Sequence, residues 1–301
     1  MMQNYEARML RVLTYIHDHP AEDLSLDRLA EVAAMSRFHW HRVFRAMTGE
    51  TCAQAVRRVR LHRAASLLLR EDVPVTEVAQ QVGYDQLRSF NRAFAAQYGQ
   101  TPQAFRSQPT CTPSDALHAL YLAPETKTGE RFMYDVIVRS APEQIVIGLP
   151  HQGSYHEIGA AFERFFTLCQ SRNLWPRLGL PIGLYFDNPA EVAEAELRSM
   201  AGAELLAGEV PAEMQRKVLP AGRMAVLTYQ GPYAGLSGAY DVLYGQWLPQ
   251  SGELPADAPC FERYLNNPRE VAEADLLTEI CLPLLTRAEA ADVATPAGVT
   301  G

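Results

Sequence analysis

The chain has 301 residues, 48% of them hydrophobic, with a formal net charge of −8. That length supports two domains with cores of their own, and no apolar run approaches a transmembrane span. The N-terminus lacks a signal-type apolar region. The five cysteines (Cys52, Cys111, Cys169, Cys260, Cys281) form no C-x-x-C pair and no metal-ligand spacing. These features point to a cytoplasmic protein with reduced thiols, no cofactor and no membrane partner.

The acidic balance would argue against nucleic acid, but it is unevenly divided. Residues 1–110 carry 14 arginines against 11 acids, net +3, while the remainder is at −11. Both lysines, Lys127 and Lys217, lie outside the first segment, so its basic groups are all guanidinium. Guanidinium gives planar bidentate contacts to phosphate and guanine.

In chain order, residues 5–17 read as a helix with Met9, Leu10, Leu13 and Ile16 on one stripe. Ser25 is a good N-cap for a short helix turning Leu26, Leu29, Ala30 and Ala33 inward. Ser36 is placed to cap a second helix over roughly 36–47. Trp40, Val43, Phe44 and Met47 form its core face; Phe38, His41, Arg42 and Arg45 lie around the other. Thr51 opens a long helix to about residue 70. Pro74 and Thr76 then begin a repeat of the earlier pattern, with Gly83 in its turn. Its second helix, near 86–97, packs Phe90 and Phe94 inward and leaves Gln86, Leu87, Arg88, Ser89 and Arg92 outward. The duplication is explicit: Leu26, Leu29, Ala30 and Met35 match Val75, Val78, Ala79 and Tyr84 at an offset of 49. Phe44, Gly49 and Thr51 match Phe94, Gly99 and Thr101 at 50. Helix, tight turn and polar-studded second helix, twice over, is the layout of two helix-turn-helix units whose second helices enter the DNA major groove.

Residues 5–107 resemble the DNA-binding domain of AraC-type transcription regulators. The most specific part is Val78-Ala-Gln-Gln-Val-Gly-Tyr84, followed by Phe90, Arg92, Phe94 and Gly99-Gln-Thr-Pro-Gln-Ala-Phe-Arg106. The resemblance implies that Phe38, His41 and Arg42 in the first unit, and Leu87, Arg88, Ser89 and Arg92 in the second, reach base edges or adjacent phosphates of double-stranded DNA. Leu87 departs from the polar residue common there and would suit a thymine methyl.

Residues 107–130 are rich in Ser, Thr and Pro and read as a linker. The expected division is a DNA-binding domain over 1–108, a linker over 109–130, a second domain over 131–287 and a disordered tail over 288–301. The second domain is also duplicated. Gln152-Gly-Ser-Tyr155 matches Gln230-Gly-Pro-Tyr233 at an offset of 78. Asp187-Asn-Pro-Ala-Glu-Val-Ala-Glu-Ala-Glu-Leu197 matches Asn266-Asn-Pro-Arg-Glu-Val-Ala-Glu-Ala-Asp-Leu276 at 79. Both conserved runs read as scaffold. Strands fit 136–149, 182–186, 203–208, 222–229, 260–264 and 279–284, with a helix in each copy carrying Ile158, Phe162, Phe165 and Phe166, or Leu236, Tyr240, Leu243, Tyr244 and Trp247. The expected fold is therefore an all-α N-terminal domain plus an α/β C-terminal domain built from a duplicated strand-helix-strand unit. Its Tyr244-Gly-Gln-Trp-Leu-Pro249, Cys260-Phe-Glu-Arg-Tyr-Leu-Asn-Asn-Pro268 and Thr278-Glu-Ile-Cys-Leu-Pro283 resemble a GyrI-like effector-binding domain.

Glu279 stands out. It alternates with Leu277 and Cys281, and its counterpart in the first copy is Met200, so the fold does not need an acid there. A carboxylate among apolar residues is costly unless paired, and a cationic lipophilic ligand would pair it; the alternative is a solvated glutamate on an edge strand. The GyrI-like resemblance implies a glutamate at the matching position. Trp247, Tyr264, Tyr229 and Tyr185 are candidate walls, and Glu262 is a second acid at the mouth or simply exposed. His39 and His41, two apart on a helix, do not make a metal pair. The leading expectation is a non-enzymatic transcription regulator that binds DNA and a small-molecule effector and alters DNA or RNA polymerase engagement. The alternatives are a GyrI-like hydrolase of strained genotoxic molecules and a regulator whose second domain contacts a protein.

Overall fold

The computed structural model describes residues 2–70, 73–108, 134–187, 189 and 191–294. The chain divides into two compact units: residues 3–34 with 47–128, and residues 1–2 with 35–46 and 129–301. Residues 35–46 were expected within a 1–108 domain but are grouped with 129–301.

The first unit holds α1 (Met2–Asp18), α2 (Leu26–Ala33), α4 (Cys52–Arg70), α5 (Val75–Gln81), α6 (Leu87–Tyr98) and α7 (Pro102–Ser107). α3 (Trp40–Thr48) bridges the division in sequence. Polar caps set the starts. The Ser25 hydroxyl accepts from the Arg28 amide, and Thr51 and Gln54 form a reciprocal capping box at 2.8 and 3.2 Å. The core of this unit joins Leu61, Ala64, Leu68, Val78, Val82, Phe90, Phe94 and Phe105. The two helix-turn-helix turns solve the same backbone problem differently. Gly83 has φ +79°, whereas the matching Ala34 is held at φ 51°. The Arg8 guanidinium donates to the Ala33 and Ala34 carbonyls exposed by that left-handed residue.

The second unit is built on one eight-stranded antiparallel sheet in the order β1-β6-β8-β7-β3-β4-β2-β5. The strands are β1 (Val136–Ala141), β2 (Gln144–Gln152), β3 (Leu178–Tyr185), β4 (Arg198–Leu205), β5 (Gln215–Leu219), β6 (Gly222–Gln230), β7 (Phe261–Tyr264) and β8 (Leu277–Leu284). The expected single strand over 136–149 is two, because the chain breaks at Pro142 and β1 and β2 pair with different strands. The order is symmetric about its centre. β1 of the first copy pairs with β6 of the second, and β5 of the second pairs with β2 of the first. The exchange locks the copies together.

α8 (Ile158–Ser171) packs on one face through Phe165 and Cys169, with Ile147, Ala203 and Leu205 beneath. Its counterpart is α9 (Leu236–Asp241), which runs through a π-helical segment, Val242–Trp247, into α10 (Leu248–Ser251). The opposite face is filled by Val146, Ile182, Leu184, Met200, Val226, Phe261 and Cys281. α11 (Arg287–Ala294) replaces the start of the expected disordered tail. Thr286 and Glu289 cap it reciprocally at 2.8 and 3.2 Å, ahead of an alanine-rich run. Residues 295–301 and the expected linker at 109–130 lie outside the described residues. Among the described residues no helix is long and apolar enough to cross a membrane, and no cluster of three or more His, Cys, Asp or Glu is placed to hold a metal.

Candidate functional site

The site grows from the pairing of the central strands. β3 and β7 pair with Ile182 opposite Arg263, Gly183 opposite Glu262 and Leu184 opposite Phe261. Residues of the two copies are 79 apart here, so the pseudo-two-fold axis passes through the Gly183–Glu262 pair. Glu262 thus faces its own counterpart across the axis, and only one of the two positions carries a side chain. That counterpart must be glycine: a Cβ on Gly183 would lie 2.8 Å from the Tyr264 hydroxyl and 3.1 Å from the Tyr185 ring.

Glu262 is only 4% exposed. Tyr264 and Tyr185 donate to its Oε2 at 2.8 and 3.2 Å, and Tyr240 donates to its Oε1 at 3.1 Å. The Tyr185 and Tyr264 hydroxyls, themselves symmetry counterparts, are 2.9 Å apart. Burial pushes the Glu262 carboxyl above its ordinary value, against the three hydroxyls and the positive charge of Arg42, which pull it down. Burial, and next the charge of Glu262, raise Tyr185, Tyr240 and Tyr264 well above the ordinary phenol value, so all three remain donors at neutral pH.

Around this acid lies a cleft of about 1370 Å³. Its walls are pairs of residues 78 or 79 apart: Tyr155 with Tyr233, Phe162 with Tyr240, Phe166 with Tyr244, and Tyr185 with Tyr264. Tyr155 meets Tyr185 edge-on at 4.9 Å, and Tyr233 meets Tyr264 edge-on at 5.5 Å. At the rim Arg269 is paired with Glu163 at 2.6 Å. Residues 35–46, part of the same compact unit, contribute Arg42, Arg45 and Ala46 to the lining. The arrangement is an aromatic box with one buried carboxylate at its floor. It suits an apolar, partly flat molecule carrying positive charge.

Of the residues singled out from sequence for ligand binding, the structure brings Glu262, Tyr185 and Tyr264 together in the cleft. It does not bring Glu279, Trp247 or Tyr229 there. Glu279 belongs to the opposite face of the sheet, with Cys281 and Met200. Its side chain is 13% exposed and paired with Arg139 at 2.7 Å and Arg263 at 3.3 Å. The expectation of a carboxylate awaiting a ligand cation is therefore corrected: the protein supplies Glu279 with cations of its own. Tyr229 is buried with its hydroxyl donating to the Pro232 carbonyl, packed so closely under Gly235 that a Cβ there would lie 2.1 Å from its oxygen. Trp247 is buried within the π-helical segment. Sequence reasoning missed Tyr155 and Tyr233, read as scaffold in their repeated turns, and Tyr240 and Tyr244, read only as helix core. The available signal was that aromatic residues recur at matching positions of both copies.

The residues expected to meet DNA fall into two sets. On α6 and its cap, Gln86, Leu87, Arg88 and Arg92 are exposed and Ser89 is half-buried, the 38% exposure of Leu87 being high for an apolar residue. On α3 and the turn before it, His41 is buried, Phe38 and Arg42 are partly buried and Arg45 is exposed at the cleft. The structure thus corrects the reading of His41 and Arg42 as outward-facing: Arg42 points into the cleft.

Residues 134–285 match the family described as the GyrI-like small molecule binding domain, and residues 29–108 match a helix-turn-helix domain. The chain is 25% identical over 290 residues to the right origin-binding protein of Escherichia coli (strain K12), an alignment covering 91% of this chain and 96% of that protein. It is 35% identical over 143 residues to the DNA gyrase inhibitor of Yersinia enterocolitica, covering 44% and 87% respectively. It is 33% identical over 101 residues to the RCS-specific HTH-type transcriptional activator RclR of Escherichia coli (strain K12), covering 34% and 36%.

Proposed function

We propose, for a chain that belongs to the GyrI-like small-molecule-binding family and is a DNA-binding transcription regulator of AraC type, that the effector it senses is a lipophilic cation held over Glu262. The observation that carries this reading is the placement of one carboxylate, 4% exposed, on the axis of an aromatic cleft. An apolar site that keeps an acid at its floor favours a positively charged guest, because the guest supplies the countercharge that solvent would otherwise provide. Tyr155, Tyr185, Tyr233, Tyr240 and Tyr264 offer ring faces and edges to the same guest. The cleft is read as a binding site, since both oxygens of Glu262 are engaged by tyrosine donors. A hydrolase would need a carboxylate oxygen disposed toward water.

On the DNA side, Gln86, Leu87, Arg88, Ser89 and Arg92 are proposed to meet the duplex from α6 and its cap, and Phe38, His41, Arg42 and Arg45 from α3 and the turn before it once that segment is released. Engagement of RNA polymerase belongs to the same proposal, as does residence in the cytoplasm. The direct test is calorimetric titration of the full chain with tetraphenylphosphonium and with the neutral triphenylphosphine oxide. The reading expects the cation to bind at least tenfold more tightly; equal affinity, or no binding of the cation at millimolar concentration, would remove it.

A further inference from the structure

Arg42 is an arginine of the first recognition helix, yet its guanidinium lies in the effector cleft. It sits 4.6 Å from the centroid of the Tyr240 ring and 5.5 Å from that of Tyr244. Those rings are stacked on each other, 6.3 Å apart with planes 10° from parallel. Tyr240 is also one of the three donors to Glu262. Among the described residues Arg42 forms no ion pair with any carboxylate. Its charge is met by aromatic faces in the field of Glu262, which are the groups a lipophilic cation would use.

Three neighbours fasten the segment that carries it. His39, fully buried, has Nδ1 2.8 Å from the Tyr244 hydroxyl and Nε2 2.8 Å from the Ala258 carbonyl oxygen. A neutral ring satisfies both by accepting from the tyrosine and donating to the carbonyl. The Ser36 hydroxyl donates to Asp257 at 2.9 Å. Ala46 packs against Gly245, where an added Cβ would come within 3.0 Å of the Ala46 methyl.

We propose that Arg42 is an internal competitor for the effector: its guanidinium and a lipophilic cation contend for the same aromatic face beside Glu262, so that cation binding releases residues 36–46 for DNA. This rests on the reading of the cleft given above and adds the regulation of that site. One guanidinium cannot both stack in the cleft and reach a base edge, so the two uses of Arg42 are mutually exclusive. The coupling is reciprocal: DNA that captures Arg42 should also tighten cation binding.

The test uses the full chain and tetraphenylphosphonium. Where the docked form holds nine-tenths or more of the molecules, abolishing it tightens the apparent Kd about tenfold. Arg42→Ala should therefore bind the cation about tenfold more tightly than the unmutated chain. His39→Leu, outside the cleft lining, should shift the Kd in the same direction by loosening the segment; it covers the case in which the Arg42 variant folds poorly. In the unmutated chain, saturating cation should speed hydrogen exchange of the amides of residues 40–46, and triphenylphosphine oxide should not. Glu262→Gln separates the two ideas. If, introduced beside Arg42→Ala so that no competitor remains, it leaves cation affinity unchanged, the reading of the cleft fails. If it weakens the cation while Arg42→Ala and His39→Leu bind no more tightly and exchange over 40–46 is unmoved, competition by Arg42 is overturned and the cleft reading stands. Absence of cation binding in all of these chains overturns both.

Discussion

Glu262→Gln keeps the side-chain volume and removes the charge, and its effect can be worked from the site. Three hydroxyls donate to the two carboxylate oxygens. A carboxamide accepts at one end only, so either Tyr240 or the Tyr185–Tyr264 pair must turn away from an amide NH2. That rearrangement costs about 1 kcal/mol for a lost hydrogen bond and affects any ligand alike. The charge-specific part is larger. A cation seated about 5 Å from the carboxylate is attracted by about 3 kcal/mol at an effective dielectric constant of 20. The three tyrosine donors already meet part of the carboxylate's charge, leaving an expected loss of about 1.4–3 kcal/mol, a tenfold to hundredfold weakening. Calorimetry at fixed salt with tetraphenylphosphonium and triphenylphosphine oxide reads the two parts separately, the neutral compound changing no more than about fivefold. Equal losses for both compounds, or a cation loss below threefold, would refute the electrostatic reasoning. Glu279→Gln is the contrasting case. It should leave cation affinity within twofold but strand Arg139 and Arg263, lowering stability in a urea melt by about 1–3 kcal/mol. The reverse outcome, cation binding lost through Glu279 and spared through Glu262, would restore the expectation drawn from sequence.

The two turns of the helix-turn-helix units give a reciprocal pair. Gly83→Ala should destabilise the chain by more than about 1–2 kcal/mol, since φ is +79° and a Cβ would meet the Pro20 carbonyl at 2.5 Å, while Ala34→Gly should stabilise it by about 0.5–1 kcal/mol; thermal melts decide both. Burial lowers His39 and His41 from 6.5 to about 3, so the unfolded chain binds more protons than the folded one between those values. Stability should therefore be full above pH 6.5 and fall as pH drops toward 3, a melt series showing a midpoint that declines below pH 6.5; a flat profile would refute neutral buried histidines. Arg92→Ala and Arg88→Ala should each weaken binding to a specific duplex by about 1–3 kcal/mol if the side chain reads a base, as measured by anisotropy at fixed salt, with unchanged affinity in both removing α6 from the interface.

Much of the molecule is legible in the amino-acid sequence alone. The 49- and 50-residue offsets, the arginine-only basic segment and the 78- and 79-residue offsets define two helix-turn-helix units and a duplicated effector-binding half. Ser25, Thr51 and Gly83 act as the cap, helix-start and turn residues their local sequence indicates, because caps and turns depend on a few neighbouring residues.

Which acid mattered was a tertiary question. Alternation along β7 and β8 says that Glu262 shares a face with Tyr264, and Glu279 with Cys281. It does not say which face meets the cleft, because side-chain period is a property of one strand while the location of a cleft depends on where the helices pack. The exchange of β1 and β5 between the copies and the docking of α8 and α9 put Glu262 at the cleft floor and Glu279 beside Arg139 on the other face. The same limit applies to α3. Helical periodicity identifies His41 and Arg42 as lying off the core stripe with Trp40 and Phe44, but a polar face looks the same in sequence whether it meets water, DNA or an aromatic wall. Only the folded second unit, bringing Tyr240 and Tyr244 under Arg42 from some 200 residues away, decides what that face touches.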